Sequence, residues 1–135
     1  MADQEHVELI KKDVDEWNRL REDDPTLSPQ LAGADLRYLN LMFANLSRAV
    51  LRNADLALAN LKGADLRWSD LRNANMVGAQ MIGVDLMGAD LSGADLRTAE
   101  DLTTEQLAEA RGDETTHLPD DLPRPPQWSS IAGAR

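Results

Sequence analysis

Apolar residues recur at every fifth position through the middle of the chain. From residue 31 to residue 96, 12 of the 14 fifth-residue slots hold leucine, and the other two hold Met76 and Met81. Alanine fills 11 of the 14 slots from 34 to 99, and Asp or Asn fills 11 of the 14 slots from 35 to 100. Three columns that share one period predict an internal repeat of five residues.

A period of five suits neither an α-helix nor a flat strand. Successive leucines on a helix would be turned by roughly 140°, and those on a strand would point to opposite faces. The leucines and alanines can share one interior only if the chain bends once in each repeat, which predicts a solenoid with five-residue sides. The Asp or Asn before each leucine can hold such a bend by bonding to nearby backbone N–H groups. All six prolines lie outside the repeat, where no coil needs their N–H.

The residues "ANL" at 44–46, "ADL" at 54–56 and 64–66, and "ANM" at 74–76 resemble the A(D/N)LXX consensus of the pentapeptide-repeat proteins. The resemblance runs from about residue 31 to residue 102. It implies an all-β solenoid, a right-handed quadrilateral β-helix with four repeats per coil. Seventy-two residues at four repeats per coil make about 3.6 coils, and a spacing of ~4.8 Å per coil gives a rod about 17 Å long.

The two ends of the chain predict caps, because a short solenoid would otherwise expose both ends of its core. We expect an N-terminal helical cap and linker over 1–30, the β-helix over 31–102, and a C-terminal helix with a proline-rich tail over 103–135. Apolar residues at helical spacing predict one capping helix over residues 4–22 that lies on the first coil. A helix that binds a partner is the alternative. The residues at this spacing are Val7, Ile10, Val14 and Trp17.

The stretch "LTTEQLAEARG" predicts a short C-terminal helix, since Thr103 and Gln106 form a capping-box pattern. The proline-rich segment after it predicts an extended tail that Leu118, Leu122 and Trp128 anchor to the body. The last seven residues, "SSIAGAR", are expected to be loose.

Composition narrows the classes of function. The chain has 14 basic and 24 acidic residues, and its net charge of −10 argues against direct binding of nucleic acid. It has no cysteine, and neither His6 nor His117 has a ligand pattern nearby, so we expect no metal and no cofactor. The acidic start "MADQEHVELI" lacks the apolar core of a signal peptide, and no apolar run is long enough to cross a membrane. These features predict a cytoplasmic protein that is not bound to a membrane.

Two polar columns are candidates for chemistry. Paired carboxylates catalyse proton transfer only in a cleft that shifts their pKa values, and a convex rod offers no cleft. We therefore interpret the acidic column as turn-holding residues and the amide column as a stacked ladder, and we predict that the protein is not an enzyme. The acidic column is Asp35, Asp55 and Asp95, and the amide column on the next side is Asn40, Asn60 and Gln80.

Residues 76–88, "MVGAQMIGVDLMG", contain a single charge. Val77, Ile82 and Met87 occupy slots that hold Arg or Lys in other repeats, and we expect them to form a belt around one coil. Met42 should lie on the same side as Ile82 two coils away, and Trp68 should lie at an outward corner. These residues are either covered by the caps and the tail, or they form a surface for self-association, for example in a homodimer, or for an unknown protein partner.

The predicted function is a non-enzymatic structural or protein-interaction module. The resemblance suggests an alternative, because some family members regulate or protect type II topoisomerases by imitating DNA. Duplex DNA carries one charge per ~1.7 Å, so a 17 Å rod should display about 10 negative charges. The repeat has 9 acidic and 7 basic residues, which leaves only −2. The charge of the repeat therefore disfavours imitation of DNA.

Overall fold

The computed structural model describes residues 2–128, so the expectation about "SSIAGAR" lies outside the described residues. The described chain contains three α-helices and one turn of 3-10 helix. Helix α1 is Gln4–Lys12, α2 is Val14–Asp23, α3 is Thr104–Glu109, and the 3-10 turn is Pro126–Trp128. Between α2 and α3 the backbone alternates tight turns with single bridged residues.

Parallel β-bridges stack the repeats into coils. Every fifth residue pairs with the residue twenty positions later, beginning with Gln30↔Val50 and continuing to Gln80↔Glu100. Four pentads therefore make each coil. In the second coil, for example, Asp55 donates its N–H to the carbonyl of Ala34 (2.9 Å) and accepts from the N–H of Leu36 (2.8 Å). Within residues 2–128 these pairings are isolated bridges and not continuous strands. Each pentad contains a turn, so too few of its residues remain extended to form a longer strand.

Each side ends in a turn of one kind. The N–H of Ala34 donates to the carbonyl of Leu31 (3.1 Å), and the third residue of the turn, Gly33, has φ +69. A positive φ only at this third residue defines a type II turn. All fourteen corner residues from 33 to 98 have a positive φ, and eight of them are not glycine. The eight are Tyr38, Phe43, Arg48, Asn53, Leu58, Trp68, Asn73 and Thr98.

The polar residue before each leucine holds the turn, as the sequence predicts. Asp35 Oδ1 accepts from the backbone N–H of Arg37 at 3.2 Å, and Asn60 Oδ1 accepts from that of Lys62 at 3.1 Å. The leucines and most of the alanines point inward. Met76 and Met81 are fully buried among them, so the core continues through the two slots that lack leucine.

The N-terminal cap is two helices and not the single helix predicted over 4–22. The chain breaks at Asp13, whose extended backbone (φ −162, ψ 110) ends α1 and starts α2. The Asp13 carboxylate accepts from the N–H groups of Asp15 and Glu16, so it caps the N-terminus of α2. Aspartate favours this capping position over a helix interior. A segment with one continuous helical spacing of apolar residues therefore forms two helices.

The C-terminal segment starts with the predicted capping box. Thr103 accepts from the N–H of Gln106, and the Gln106 side chain accepts from the N–H of Thr103. Beyond α3 the chain pairs with the last coil of the repeat, because Arg111 and His117 form parallel bridges with Asp90 and Asp95. Coil pairing thus continues at Arg111, which the sequence predicts to be helical, and at His117, which it predicts to be irregular.

The tail is anchored by Trp128, as expected. Its side chain is buried, and its indole Nε1 donates to the carbonyl of Ala110 at 3.1 Å. Leu118 and Leu122 are half-buried against the core. The 3-10 turn that carries Trp128 therefore fixes the C-terminal end of the described chain against the segment that follows α3.

Candidate interaction surface

The candidate belt lies on three successive sides of one coil. Val77 belongs to the side formed by 74–77, Ile82 to 79–82 and Met87 to 84–87. Val77 is half-buried, whereas Ile82 is 51% exposed and Met87 is 40% exposed. The caps and the tail therefore leave two of these three side chains accessible. A turn of the backbone separates each of these sides from the next, so the three side chains do not share one flat surface.

The other two candidates lie apart from each other. Met42 is half-buried and shares a side with Ile82, since Asn40 bridges to Asn60 and Asn60 bridges to Gln80. Trp68 is 57% exposed at a corner that does not border this side. Met42 and Ile82 thus share a side, while Trp68 stands at the edge of the side that carries Met87 and donates its N–H to the Met87 carbonyl at 2.9 Å.

That common side differs from the other three in charge. We call it the amide face and define it as residues 39–42, 59–62 and 79–82. Among the described residues, every ion pair of the repeat lies on another side, between Arg and Asp residues. The amide face carries one charged side chain, Lys62, in its three stacked repeats, and Glu100 stacks on Gln80 at its C-terminal end. It is the side of the coil where covering the surface removes the fewest charges from water.

Exposed apolar side chains border the amide face at its corners. Tyr38 and Leu58 are stacked at one edge and are 71% and 48% exposed. Phe43 lies at the other edge and is 67% exposed. The sequence places these residues in outward corner slots and leaves open whether the caps and the tail cover them or whether they form a surface. The structure leaves all three exposed. The signal was present in the corner column, where glycine or asparagine would be the unstrained choice.

Three of the four large corner residues fold down over a glycine of the next coil. A Cβ added at Gly63 would lie 2.5 Å from the ring of Phe43. The same relation holds between Leu58 and Gly78, where the distance would be 2.7 Å, and between Trp68 and Gly88. Tyr38 is the exception, because the next coil has Leu58 at that corner.

The charged sides are neutralised by neighbouring arginines. All seven aspartates between residues 35 and 95 have an arginine nitrogen within 4 Å. Hydrogen bonds from the Arg37 side chain and backbone lower the pKa of Asp35 to about 2, and hydrogen bonds from Arg97 lower the pKa of Asp95. These carboxylates are held ionised, which suits ion pairs and turns and does not suit a proton donor at neutral pH.

Acidic groups lie at the C-terminal end of the amide face. Two open hollows of about 500 and 440 Å³ meet at Ile82. Asp101 lines both hollows, Asp121 lines the first, and Asp85 and Glu109 line the second. Within residues 2–128, no group of His, Cys, Asp and Glu is placed to hold a metal ion. The hollows are shallow surface features with a negative rim.

At the N-terminal end, the amide face meets the junction between α1 and α2. Asn40 and Met42 line a hollow of about 370 Å³ together with Lys12, Asp13 and Asp15. None of the helices in the described part of the chain has the length and apolar character needed to cross a bilayer.

Comparison with known proteins identifies the repeat. The family model described as "Pentapeptide repeats" matches residues 30–67 and 64–99 with 8 copies, which is more than half of the chain. No curated protein matches the chain significantly.

Similar solved structures also carry this repeat. A pentapeptide repeat protein from Nostoc PCC 7120 is 31% identical over 72% of this chain and 75% of its own, with a TM-score of 0.43. Rfr23 from the cyanobacterium Cyanothece 51142 is 29% identical over 69% and 67%, with a TM-score of 0.41. A pentapeptide repeat protein from the Arabidopsis thaliana thylakoid lumen is 24% identical over 72% and 69%, with a TM-score of 0.31. On the match of the family model, the chain belongs to the pentapeptide-repeat family.

Proposed function

We propose that this protein is a non-enzymatic interaction module, a rigid scaffold whose outer surface binds a protein partner. The observation that carries the proposal is the set of large apolar side chains exposed at the corners. They are Tyr38, Phe43, Leu58 and Trp68. Apolar side chains that lie close together on a folded surface mark interaction sites, and Tyr38, Leu58 and Phe43 do so by bordering one side of the coil. Aromatic residues are also enriched at the centres of interfaces.

The backbone at these corners supports the same proposal. All four residues have φ between +60 and +64, a conformation that costs a residue with a Cβ roughly 1–2 kcal/mol relative to glycine. The other non-glycine corners include Asn53 and Asn73, which tolerate this conformation. Strained residues that are also exposed gain little from burial, so a role in binding accounts for their presence.

The finer geometry of the scaffold belongs to the proposal as well. We take the coil to be right-handed and the repeat to span about 3.6 coils, as the family resemblance implies. Coils are stacked at ~4.8 Å, so the side chains at the same position of the repeat form straight rows along the rod axis on every side. Such a surface suits recognition by contact with several coils at once.

The proposal is tested by replacing the exposed corners. A variant with Tyr38→Asn, Phe43→Asn, Leu58→Asn and Trp68→Asn keeps the turn geometry, because Asn already occupies two corners. A matched control carries Arg48→Asn and Thr98→Asn, which change corners that expose no large apolar group. Each protein is immobilised, and the proteins it captures from a native cell extract are quantified by mass spectrometry.

We expect the parent protein and the control to capture the same partner, and the corner variant to capture at least tenfold less. Circular dichroism confirms that each variant is folded. Equal capture by all three proteins would show that the corners are not the binding surface.

A further inference from the structure

We propose that the amide face is the docking site, and that it binds a partner segment with an apolar centre flanked by lysine or arginine. This inference rests on the proposed function and specifies the surface and the chemistry of the partner. It combines an apolar, ion-pair-free side of the coil with the distribution of charge at the two ends of that side.

The apolar part of the site lies at the two ends of its outward column and along the rims. Met42 and Ile82 project from the face on either side of Lys62, and Tyr38, Leu58 and Phe43 stand at its two corner edges. Burying this surface removes apolar area from water without breaking an Arg–Asp pair. On every other side of the coil, a partner that covers the surface would have to remove Arg–Asp ion pairs from water.

The amide column supplies directed hydrogen bonds. Asn40 Oδ1 accepts from the N–H of Met42 at 3.2 Å, and Asn60 Oδ1 accepts from that of Lys62 at 3.1 Å. These bonds leave both Nδ2 groups as donors, and in the described part of the chain neither has an acceptor within hydrogen-bond distance. Stacked amide donors on an apolar surface suit the carbonyl oxygens of a bound peptide backbone.

The charge at the ends of the face selects a basic partner. Asp101, Asp121 and Glu109 line the hollows beside Ile82, and among residues 2–128 none of them forms an ion pair. At the opposite end, Asp13 and Asp15 border Asn40 and Met42 together with Lys12, whose charge is offset by Glu16 at 3.9 Å. Complementary charge at both ends steers association and orients the partner.

The same charges disfavour a second copy of this chain as the occupant. Both ends of the amide face are acidic, so pairing two copies face to face brings acidic ends together in either orientation. The net charge of −10 adds a general repulsion between copies. The experiment must therefore distinguish binding of a basic partner segment from the homodimer, which the sequence predicts as one possibility.

The test uses two synthetic peptide libraries. Each peptide has three randomised apolar positions, flanked on each side by two Lys or Arg residues in the first library and by two Asp or Glu residues in the second. We expect peptides selected from the basic library to bind the full chain in fluorescence anisotropy. The acid-flanked versions of the same peptides should bind at least tenfold more weakly, and added salt should weaken the basic peptides.

Two matched variants locate the site. Ile82→Lys puts a positive charge on the amide face, in a slot where Lys62 already occurs one coil away. Met87→Lys makes the same change in the same slot of the next side. We expect Ile82→Lys to weaken binding of the basic peptide at least tenfold and Met87→Lys to change it by less than twofold. Neutralising the rim with Asp101→Asn and Asp121→Asn should weaken binding about fivefold.

The inference is overturned if basic peptides do not bind, or if the two lysine variants weaken binding equally. It is also overturned if light scattering finds a dimer that Ile82→Lys dissociates, because the face would then hold a second copy. These results leave the corner-variant experiment untouched. A partner captured through the corners with no effect of Ile82→Lys would keep the proposed function and remove only this site.

Discussion

At the scale of the residue, each pentad position has one physical task. The leucine fills the interior, the alanine keeps the coil narrow, and the polar residue before the leucine closes the turn through its side-chain oxygen. The corner residue adopts the left-handed conformation whether or not it is glycine. Corner residues are coupled along the rod axis, because Trp68 covers the position where Gly88 has no side chain.

This coupling predicts unequal costs for two Gly→Ala changes. Gly88→Ala adds a Cβ that would lie 2.1 Å from the Trp68 ring, whereas a Cβ at Gly33 would meet nothing within 4 Å. We expect Gly33→Ala to cost about 1 kcal/mol of unfolding free energy for its positive φ, and Gly88→Ala to cost about 1 kcal/mol more. Urea denaturation measures both values. In the Trp68→Asn background the extra cost should disappear, and its persistence would contradict the coupling.

The lowered pKa values predict how stability depends on pH. The folded-state pKa of Asp95 lies below its unfolded value of about 3.9, mainly because the Arg97 side chain donates to it. Its contribution is therefore complete above about pH 4 and is lost as the pH falls toward the folded-state pKa. Asp35, with a pKa of about 2, behaves in the same way.

The change Asp95→Asn isolates this contribution. Asn keeps the turn-closing oxygen, as Asn75 does directly above, but it loses the ion pair with Arg97. We expect a loss of less than about 1 kcal/mol at pH 7, and a smaller difference in stability between pH 7 and pH 3 than in the parent protein. Urea denaturation at both pH values tests this, with Asp120→Asn in the C-terminal segment as the control. An unchanged pH dependence would show that Asp95 does not contribute.

At the scale of the element, α2 replaces the missing coil above one side of the rod. The Asn18 side chain accepts from the N–H of Asn45 (2.8 Å) and donates to the carbonyl of Phe43 (3.0 Å). Buried Trp17 also donates to the carbonyl of Asn45, at 2.8 Å. The helix thus bonds to the edge of the first coil as another coil would, and this protects an edge that could otherwise pair with other chains.

Arg21 joins α2 to the first coil and to the linker after the helix through several hydrogen bonds. It is buried, and its guanidinium donates to the carbonyls of Asn45, Ser47 and Leu27. Arg21→Met fills similar space but removes the donor to the carbonyls of Ser47 and Leu27, whereas Asn45 keeps the bond from Trp17. We expect the change to cost about 2–4 kcal/mol. Exposed Arg19 on the same helix provides the control, since Arg19→Met should change stability by less than about 0.5 kcal/mol. Equal values in urea denaturation would mean that α2 does not hold the edge.

At the scale of the whole molecule, the acidic charge is divided between a neutralised rod and acidic ends. The seven aspartates from residue 35 to residue 95 are paired with arginine, so the sides of the rod do not present rows of free negative charge. Most of the net charge of −10 therefore belongs to the two ends. This distribution differs from the even negative charge of a DNA duplex.

The charge distribution predicts that the protein does not imitate DNA. In a gyrase supercoiling assay we expect no inhibition at micromolar protein, and no relief when the enzyme is poisoned by a quinolone. The control is the same assay with a DNA-competitive inhibitor. Inhibition that disappears at higher salt would contradict this prediction and would restore the topoisomerase alternative.

The repeat, the inward leucines and the turn-closing polar residues were predictable from the sequence because each depends on residues within one pentad. The capping box of Thr103 and Gln106 was predictable for the same reason. The break at Asp13 was missed because the apolar period passes through it, while the local preference of aspartate for the N-cap decides the backbone. The bridges of Arg111 and His117 were missed because no pentad pattern marks them.

The sequence by itself determined the five-residue period, the family and the residues that line the interior, since local turn chemistry and apolar burial depend on near neighbours. The period alone did not decide which pentads stack. The family resemblance implied four repeats per coil, and the bridges at an interval of twenty residues show it, which places Ile82 with Met42 and apart from Val77 and Met87. Only the tertiary structure decided that Tyr38, Leu58 and Phe43 stay exposed beside the amide face and which part of the first coil α2 covers, because cover depends on residues that are distant in the chain.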